Sequence, residues 1–142
     1  MNKSKSNSFL AISFSQGFLS PNIPIATLTQ GDKELNFIID TGSDRNVIDC
    51  SVLEELEYQK DENNKMHLTG LGGTQEVEIC TLTFTCDGKE YTSEFLVSDL
   101  KEAFDSIKKA HAIPIHGMLG SVFLRENNLI LDFNNLVLYN KE

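Results

Sequence analysis

The residues best placed to do chemistry lie between Asn36 and Asp49, in the run Asn-Phe-Ile-Ile-Asp-Thr-Gly-Ser-Asp-Arg-Asn-Val-Ile-Asp. Phe37, Ile38 and Ile39 lead straight into Asp40. Thr41, Gly42 and Ser43 then break the apolar pattern, and Val47 and Ile48 resume it. This order predicts a buried strand that delivers one carboxylate into a glycine-containing turn. A carboxylate fixed at a strand end can exchange a proton with a bound reactant or attack it directly. If a second carboxylate comes close, the two cannot both ionise; they share a proton, and one can activate a water while the other donates.

Elements that would position Asp40 can be read on both sides of it. Pro24 precedes Ile25, Ala26, Thr27 and Leu28; Gln30-Gly31-Asp32-Lys33 is a turn cluster, and Leu35 to Ile39 follows. The pattern predicts a hairpin whose second strand carries the acid. Ser51 is expected to cap a short helix bearing Val52, Leu53 and Leu56. The polar residues 59–65 read as an exposed loop. Gly70, Gly72 and Gly73 then crowd a hairpin tip, where backbone can approach a ligand closely.

Further along, Val77 and Ile79 share one parity, whereas Cys80, Leu82, Phe84 and Cys86 share the other. That change of phase predicts a bulge or a strand bending between layers. Asp87-Gly88 is a two-residue hairpin signal before Tyr91, Phe95 and Val97. Asp99 and Glu102 read as a capping pair for a helix whose apolar stripe is Leu100, Ala103, Phe104, Ile107 and Ala110. Residues 115–119 look like a strand, Val122 to Leu124 a short segment, and Leu129–Phe133 with Leu136–Tyr139 a final hairpin around Asn134-Asn135. The N-terminal residues 1–20 read as an extension, partly disordered or adding a strand near residues 9–14, with residues 21–142 as the domain proper. The whole is a strand-rich single domain with one or two short helices.

Composition narrows the partners. The chain has 142 residues, 40% hydrophobic and 23% charged, enough for one globular core. A net charge of -9 argues against nucleic acid or an anionic membrane as partner. No run approaches the roughly 18 apolar residues of a membrane span. Cys50, Cys80 and Cys86 are an odd count without paired spacing, so a disulfide framework is not expected and a reducing, cytoplasmic setting fits. The short run Phe9 to Phe14 resembles a signal peptide only faintly, and leaves secretion or a periplasmic location as the other reading. His67, His111 and His116 are scattered without ligand spacing, so no metal and no cofactor are expected.

Taken singly, each feature is ordinary: an acid closing a turn, a glycine-rich loop, a core strand. Their order is not. Asp40-Thr41-Gly42 after a buried strand, a glycine-rich hairpin, and then Met118-Leu119-Gly120 resemble the retropepsin-like aspartic peptidases over about residues 23–139. The resemblance implies an all-β closed barrel of the acid-protease type with one or two short helices. It implies that Asp40, Thr41 and Gly42 form the catalytic turn and that Gly42, Asp44, Gly70, Gly72 and Gly73 meet a polypeptide substrate. Ser43, Met118, Leu119 and Gly120 would brace the turn. Because the chain holds a single Asp-Thr-Gly, a carboxylate pair requires a homodimer, in which the resemblance implies that Thr41 bonds across the two-fold axis.

Two departures from the family pattern stand out. Ser43 stands where retroviral enzymes usually carry alanine; its hydroxyl is expected to donate to the ionised aspartate, giving an acidic optimum that Ser43→Ala would move upward. Ser121 stands where many retroviral relatives carry an arginine that pairs with the acid near the active site, leaving Arg45 and Arg125 as stand-ins. A non-catalytic peptide-binding or dimerisation module on the same fold is the competing reading. A phosphoaspartate enzyme of the haloacid-dehalogenase-like kind is not, since it wants a second acid where Gly42 stands.

Overall fold

Apolar alternation on either side of the Gly31-Asp32 turn builds the first hairpin, β2 (Ile25–Gln30) with β3 (Lys33–Ile39), in register from Ile25 opposite Ile38 to Gln30 opposite Lys33. The computed structural model describes residues 11–20, 22–70 and 73–140. Before the hairpin come β1 (Ala11–Ser13) and a 3-10 turn, Ser15–Phe18. After it come β4 (Asn46–Asp49), a second 3-10 turn (Cys50–Glu55), β5 (Gln59–Gly70), β6 (Gly73–Cys86) and β7 (Lys89–Ser98). Helix α1 (Lys101–His111), β8 (Gly117–Leu119), helix α2 (Ser121–Glu126), β9 (Leu129–Asp132) and β10 (Val137–Asn140) complete the chain.

The main sheet runs β2-β3-β8-β4-β7-β6-β5, and β2 also pairs β6 through Thr29 and Thr85. That last pairing closes six strands into a barrel, reinforced by a 2.8 Å hydrogen bond between the two threonine hydroxyls. A smaller sheet, β1-β10-β9, packs beside it, and β1 brings Ile12 into the core. The barrel interior is aromatic. Phe37, Phe84 and Phe95 are buried and meet with ring centroids 5.2 to 5.9 Å apart, tilted or edge-on as ring quadrupoles favour. Strand β3 thus reaches the Asp40 turn from this aromatic core.

The Asp87-Gly88 hairpin forms as expected, both residues having positive φ (52° and 83°), the geometry of a two-residue turn that matches strand twist. Other expectations need correcting. Residues 59–65 are strand, not loop: β5 pairs β6 from Gln59 opposite Thr81, with the register broken between Asp61 and Met66. Backbone pairing overrides the polar composition at Gln59 to Asp61, and the residues up to Met66 take up the irregularity. The predicted irregularity therefore lies in β5; β6 pairs β7 without interruption from Glu78 to Cys86. The parity change on β6 arises because Ile79 and Cys80 are both buried, Ile79 in an outer cluster with Val77 and Leu96, Cys80 in the barrel core.

Neither cap is built as the sequence suggests. The second 3-10 turn starts after Asp49, and the Ser51 hydroxyl donates to Asp49 Oδ2 at 2.6 Å instead of capping. At α1 the N-cap is Leu100, and no Asp99–Glu102 box forms. The orphan N–H groups go to carboxylates instead, Lys101 to Asp99 and Leu100 to Asp49 from a distant strand (3.2 and 2.9 Å). On α1 only Phe104 is buried, with Leu100 and Ile107 packed beside it, while Ala103 and Ala110 are exposed. Cys80 is a core residue, burial pushing its thiol up to about 11, whereas Cys50 is exposed.

Candidate active site

Asp40 is half-buried where β3 ends, and three backbone interactions define its position. Its N–H donates to the Leu119 carbonyl at 2.9 Å, and its own carbonyl accepts from the Ser43 N–H at 3.1 Å. Its carboxylate Oδ1 accepts from the Gly42 N–H at 3.0 Å, which aims the side chain back over the turn. Thr41 and Gly42 are exposed, and the Thr41 hydroxyl has no hydrogen-bond partner among the described residues.

Strand β8 explains why Met118-Leu119-Gly120 belongs with this turn. It lies between β3, which it pairs in parallel (Ile38 opposite Met118, Ile39 opposite Leu119), and β4, which it pairs antiparallel (Val47 opposite Met118). The turn leaves one of these strands and enters the other, so β8 clamps both of its ends. Such close packing demands glycine at two places. A Cβ on Gly117 would lie 2.4 Å from the Val47 carbonyl oxygen, and one on Gly120 would lie 2.4 Å from that of Arg45 and 2.7 Å from that of Ser43.

Ser43 braces the turn, but not by the expected contact. Its hydroxyl donates to the Arg45 carbonyl at 2.8 Å and accepts from the Arg45 N–H at 3.2 Å, a local turn that commits the proton away from Asp40. The reason given for an upward pH shift in Ser43→Ala therefore falls away. Ser121 contributes through its backbone, its N–H donating to the Ser43 carbonyl at 2.8 Å. Arg45 and Arg125 form no ion pair among the described residues; together with Asp44, Ser121, Val122 and Glu126 they line an open cavity of about 680 Å³ beside the turn. A separate cavity of about 590 Å³ on the barrel flank, lined by threonines including Thr29, Thr83 and Thr92, holds no residue of the turn.

Asn46 is the site residue that sequence reasoning missed. It is 1% exposed and its side chain bonds Gly120 at one end, Ser93 and Glu94 at the other. In the sequence it reads as one more polar loop residue before Val47. The glycine-rich hairpin expected to meet substrate falls on β5–β6, whose last register pair is Gly70 opposite Gly73; Gly72 lies outside the described residues. One group of possible metal ligands, Asp49, Cys50 and Asp99, has atoms within 4.8 Å of one another. Asp49 is already committed to Leu100 and Ser51, so the group makes no case for an ion.

Residues 26–123, more than half of the chain, match the aspartyl protease family model. The chain belongs to the aspartyl protease family. No curated protein sequence matches it. Among solved structures, a retropepsin-like aspartic protease from Rickettsia conorii aligns with a TM-score of 0.55, covering 94% of this chain and 91% of that one. At 14% identity the likeness speaks for the fold alone. EIAV protease, solved with the inhibitor HBY-793, aligns with a TM-score of 0.47 and 21% identity over 75% of this chain and 89% of that one. This member of the aspartyl protease family thus carries its Asp-Thr-Gly turn on a closed barrel of the retropepsin-like fold, as the resemblance implied. No helix among the described residues is long and apolar enough to cross a membrane.

Proposed function

We propose that the protein is a homodimeric aspartic endopeptidase in which Asp40 and Asp40 of the partner subunit share one proton and activate a water. The observation that carries this reading is the Asp40 turn itself: an acid held by Gly42 and Leu119 at the end of a buried strand, with its neighbour Thr41 exposed and unbonded among the described residues. One chain supplies one such turn, so the second carboxylate comes from a second copy.

The chemistry follows from two carboxyls at close range, as is well established for aspartic proteases. The ionised member removes a proton from the water as its oxygen attacks the scissile carbonyl carbon. The protonated member donates to the carbonyl oxygen, giving a tetrahedral diol. Proton transfer to the amide nitrogen then lets the C–N bond break and releases an acid and an amine. Gly42 and Asp44 at the turn, and Gly70, Gly72 and Gly73 of the hairpin, are the groups we assign to the extended polypeptide substrate. No step calls for a metal or cofactor.

The test is incubation of the purified protein with denatured protein and peptide libraries at about pH 3 to 8, the range over which carboxyl pairs titrate. Asp40→Asn is run beside it, and sedimentation reports the oligomeric state. Cleavage by a dimer that disappears in Asp40→Asn supports the reading. A dimer that binds peptides without cleaving them is the non-catalytic module instead. Cleavage that survives Asp40→Asn removes the mechanism.

A further inference from the structure

Three successive residues, Leu119, Gly120 and Ser121, each bond the segment that carries the Asp40 turn. Leu119 accepts from the Asp40 N–H and Ser121 donates to the Ser43 carbonyl, both backbone to backbone. The middle bond differs, because Gly120 donates its N–H to the side-chain Oδ1 of Asn46 at 2.9 Å. That bond is buried, and it alone of the three depends on side-chain chemistry.

The amide of Asn46 has one workable orientation. Its oxygen faces an N–H, while its nitrogen faces the Glu94 carbonyl at 3.0 Å and the Ser93 hydroxyl at 2.9 Å. Ser93 in turn donates to Glu126 Oε1 at 2.9 Å, so the network runs from Gly120, just past β8, through β4 and β7 to the end of α2. Every polar atom of the Asn46 side chain is used, which is the condition for a buried network to hold one geometry.

We propose that Asn46 is a positioning residue for catalysis at Asp40, fixing Gly120 so that the turn and its brace keep one spacing. The inference rests on Asp40 being catalytic. The side chain of Asn46 bonds Gly120, Ser93 and Glu94 and not Asp40, so it acts through Gly120. Its place is consequential because Ser121, next along, carries no guanidinium to tie the brace to the turn. Asn46 makes that tie from the other side, out of β4.

Asn46→Asp is nearly isosteric and separates positioning from simple stability. Its carboxylate still accepts from Gly120, but when ionised it faces the Glu94 carbonyl with no proton to give. Protonation restores a donor. We expect kcat at pH 7 to fall roughly tenfold or more, with KM nearly unchanged, the size of effect a small misplacement of reacting groups produces. The deficit should shrink as the pH falls, so the pH profile departs from that of the unsubstituted enzyme. A folded Asn46→Asp dimer with unaltered kcat and a parallel pH profile overturns the proposal, even if it melts at lower temperature. Amide exchange on the unsubstituted protein is a second measurement that needs neither activity nor a variant. The Gly120 N–H should exchange about as slowly as that of Asp40, and fast exchange at Gly120 also overturns the proposal. Should the unsubstituted protein fail to cleave any peptide, the catalytic reading falls with it, while the exchange result still shows whether Asn46 holds Gly120.

Discussion

The backbone N–H of Asp40 donates to the carbonyl of Leu119 at 2.9 Å, joining the end of β3 to the end of β8. The acid is therefore placed by the sheet and not by the flexibility of a loop. Substituting its side chain should leave that placement intact. In Asp40→Asn the new Oδ1 keeps the Gly42 N–H, so stability should change by less than about 1 kcal/mol. Peptide cleavage should fall by about a thousandfold or more, the scale of losing an acid–base group. Denaturant unfolding and a peptidase assay on the same preparation check both halves.

Gly120→Ala should be among the more damaging single changes in the chain. Its Cβ would press on the Arg45 and Ser43 carbonyl oxygens at 2.4 and 2.7 Å, and backbone cannot give way as a side chain tip can. We expect a loss of about 1–3 kcal/mol, as for overpacking, with activity lost in parallel. Gly31→Ala meets no atom within 4 Å and pays only for its positive φ, so about 1 kcal/mol is expected with activity retained. Equal effects from the two would contradict the clamped geometry.

Ser43→Ala removes a hydroxyl whose proton goes to the Arg45 carbonyl. A stability loss of about 1 kcal/mol is expected, with no displacement of the pH optimum. Measuring kcat/KM across the acidic range in both proteins decides it; an upward displacement would mean that the hydroxyl reaches the aspartate in the dimer.

His116 gives a pH dependence of defined sign. Its ring Nδ1 accepts from the Asn36 N–H at 2.9 Å, which only the unprotonated nitrogen can do, and burial holds its pKa below the usual histidine value. The unfolded chain therefore binds the proton more readily than the folded one. The contribution is fully present above the unfolded value of about 6.5 and is lost as the pH falls through the lower folded value. Denaturation at several pH values should show stability rising over that window, and His116→Gln should flatten the rise.

Phe37→Ala removes the ring that contacts both Phe84 and Phe95 in the barrel core. A loss of about 3–5 kcal/mol is expected, enough to leave the barrel marginal. A shift of the denaturant midpoint is the readout, and an effect below about 1 kcal/mol would mean the core closes around the gap.

Much of this was determined by the sequence alone, because the information was local. Apolar runs on either side of the Gln30-Gly31-Asp32-Lys33 turn cluster marked β2 and β3, Asp87-Gly88 marked its hairpin, and the order of Asp-Thr-Gly, glycine-rich tip and Met118-Leu119-Gly120 pointed to the family. What the tertiary structure decided depended on partners far away in the chain. Gln59 to Asp61 became strand because β6 was there to pair with, and α1 found its N-terminal acceptor on Asp49 of β4. The Ser43 hydroxyl turned to Arg45 because the turn's own curvature brings that carbonyl within reach. Asn46 was invisible for the same reason: an amide reads as a polar loop residue until the fold buries it and sets Gly120, Ser93 and Glu94 around it. Local pattern specifies which strand carries the acid, and only the closed barrel specifies what holds that acid in place.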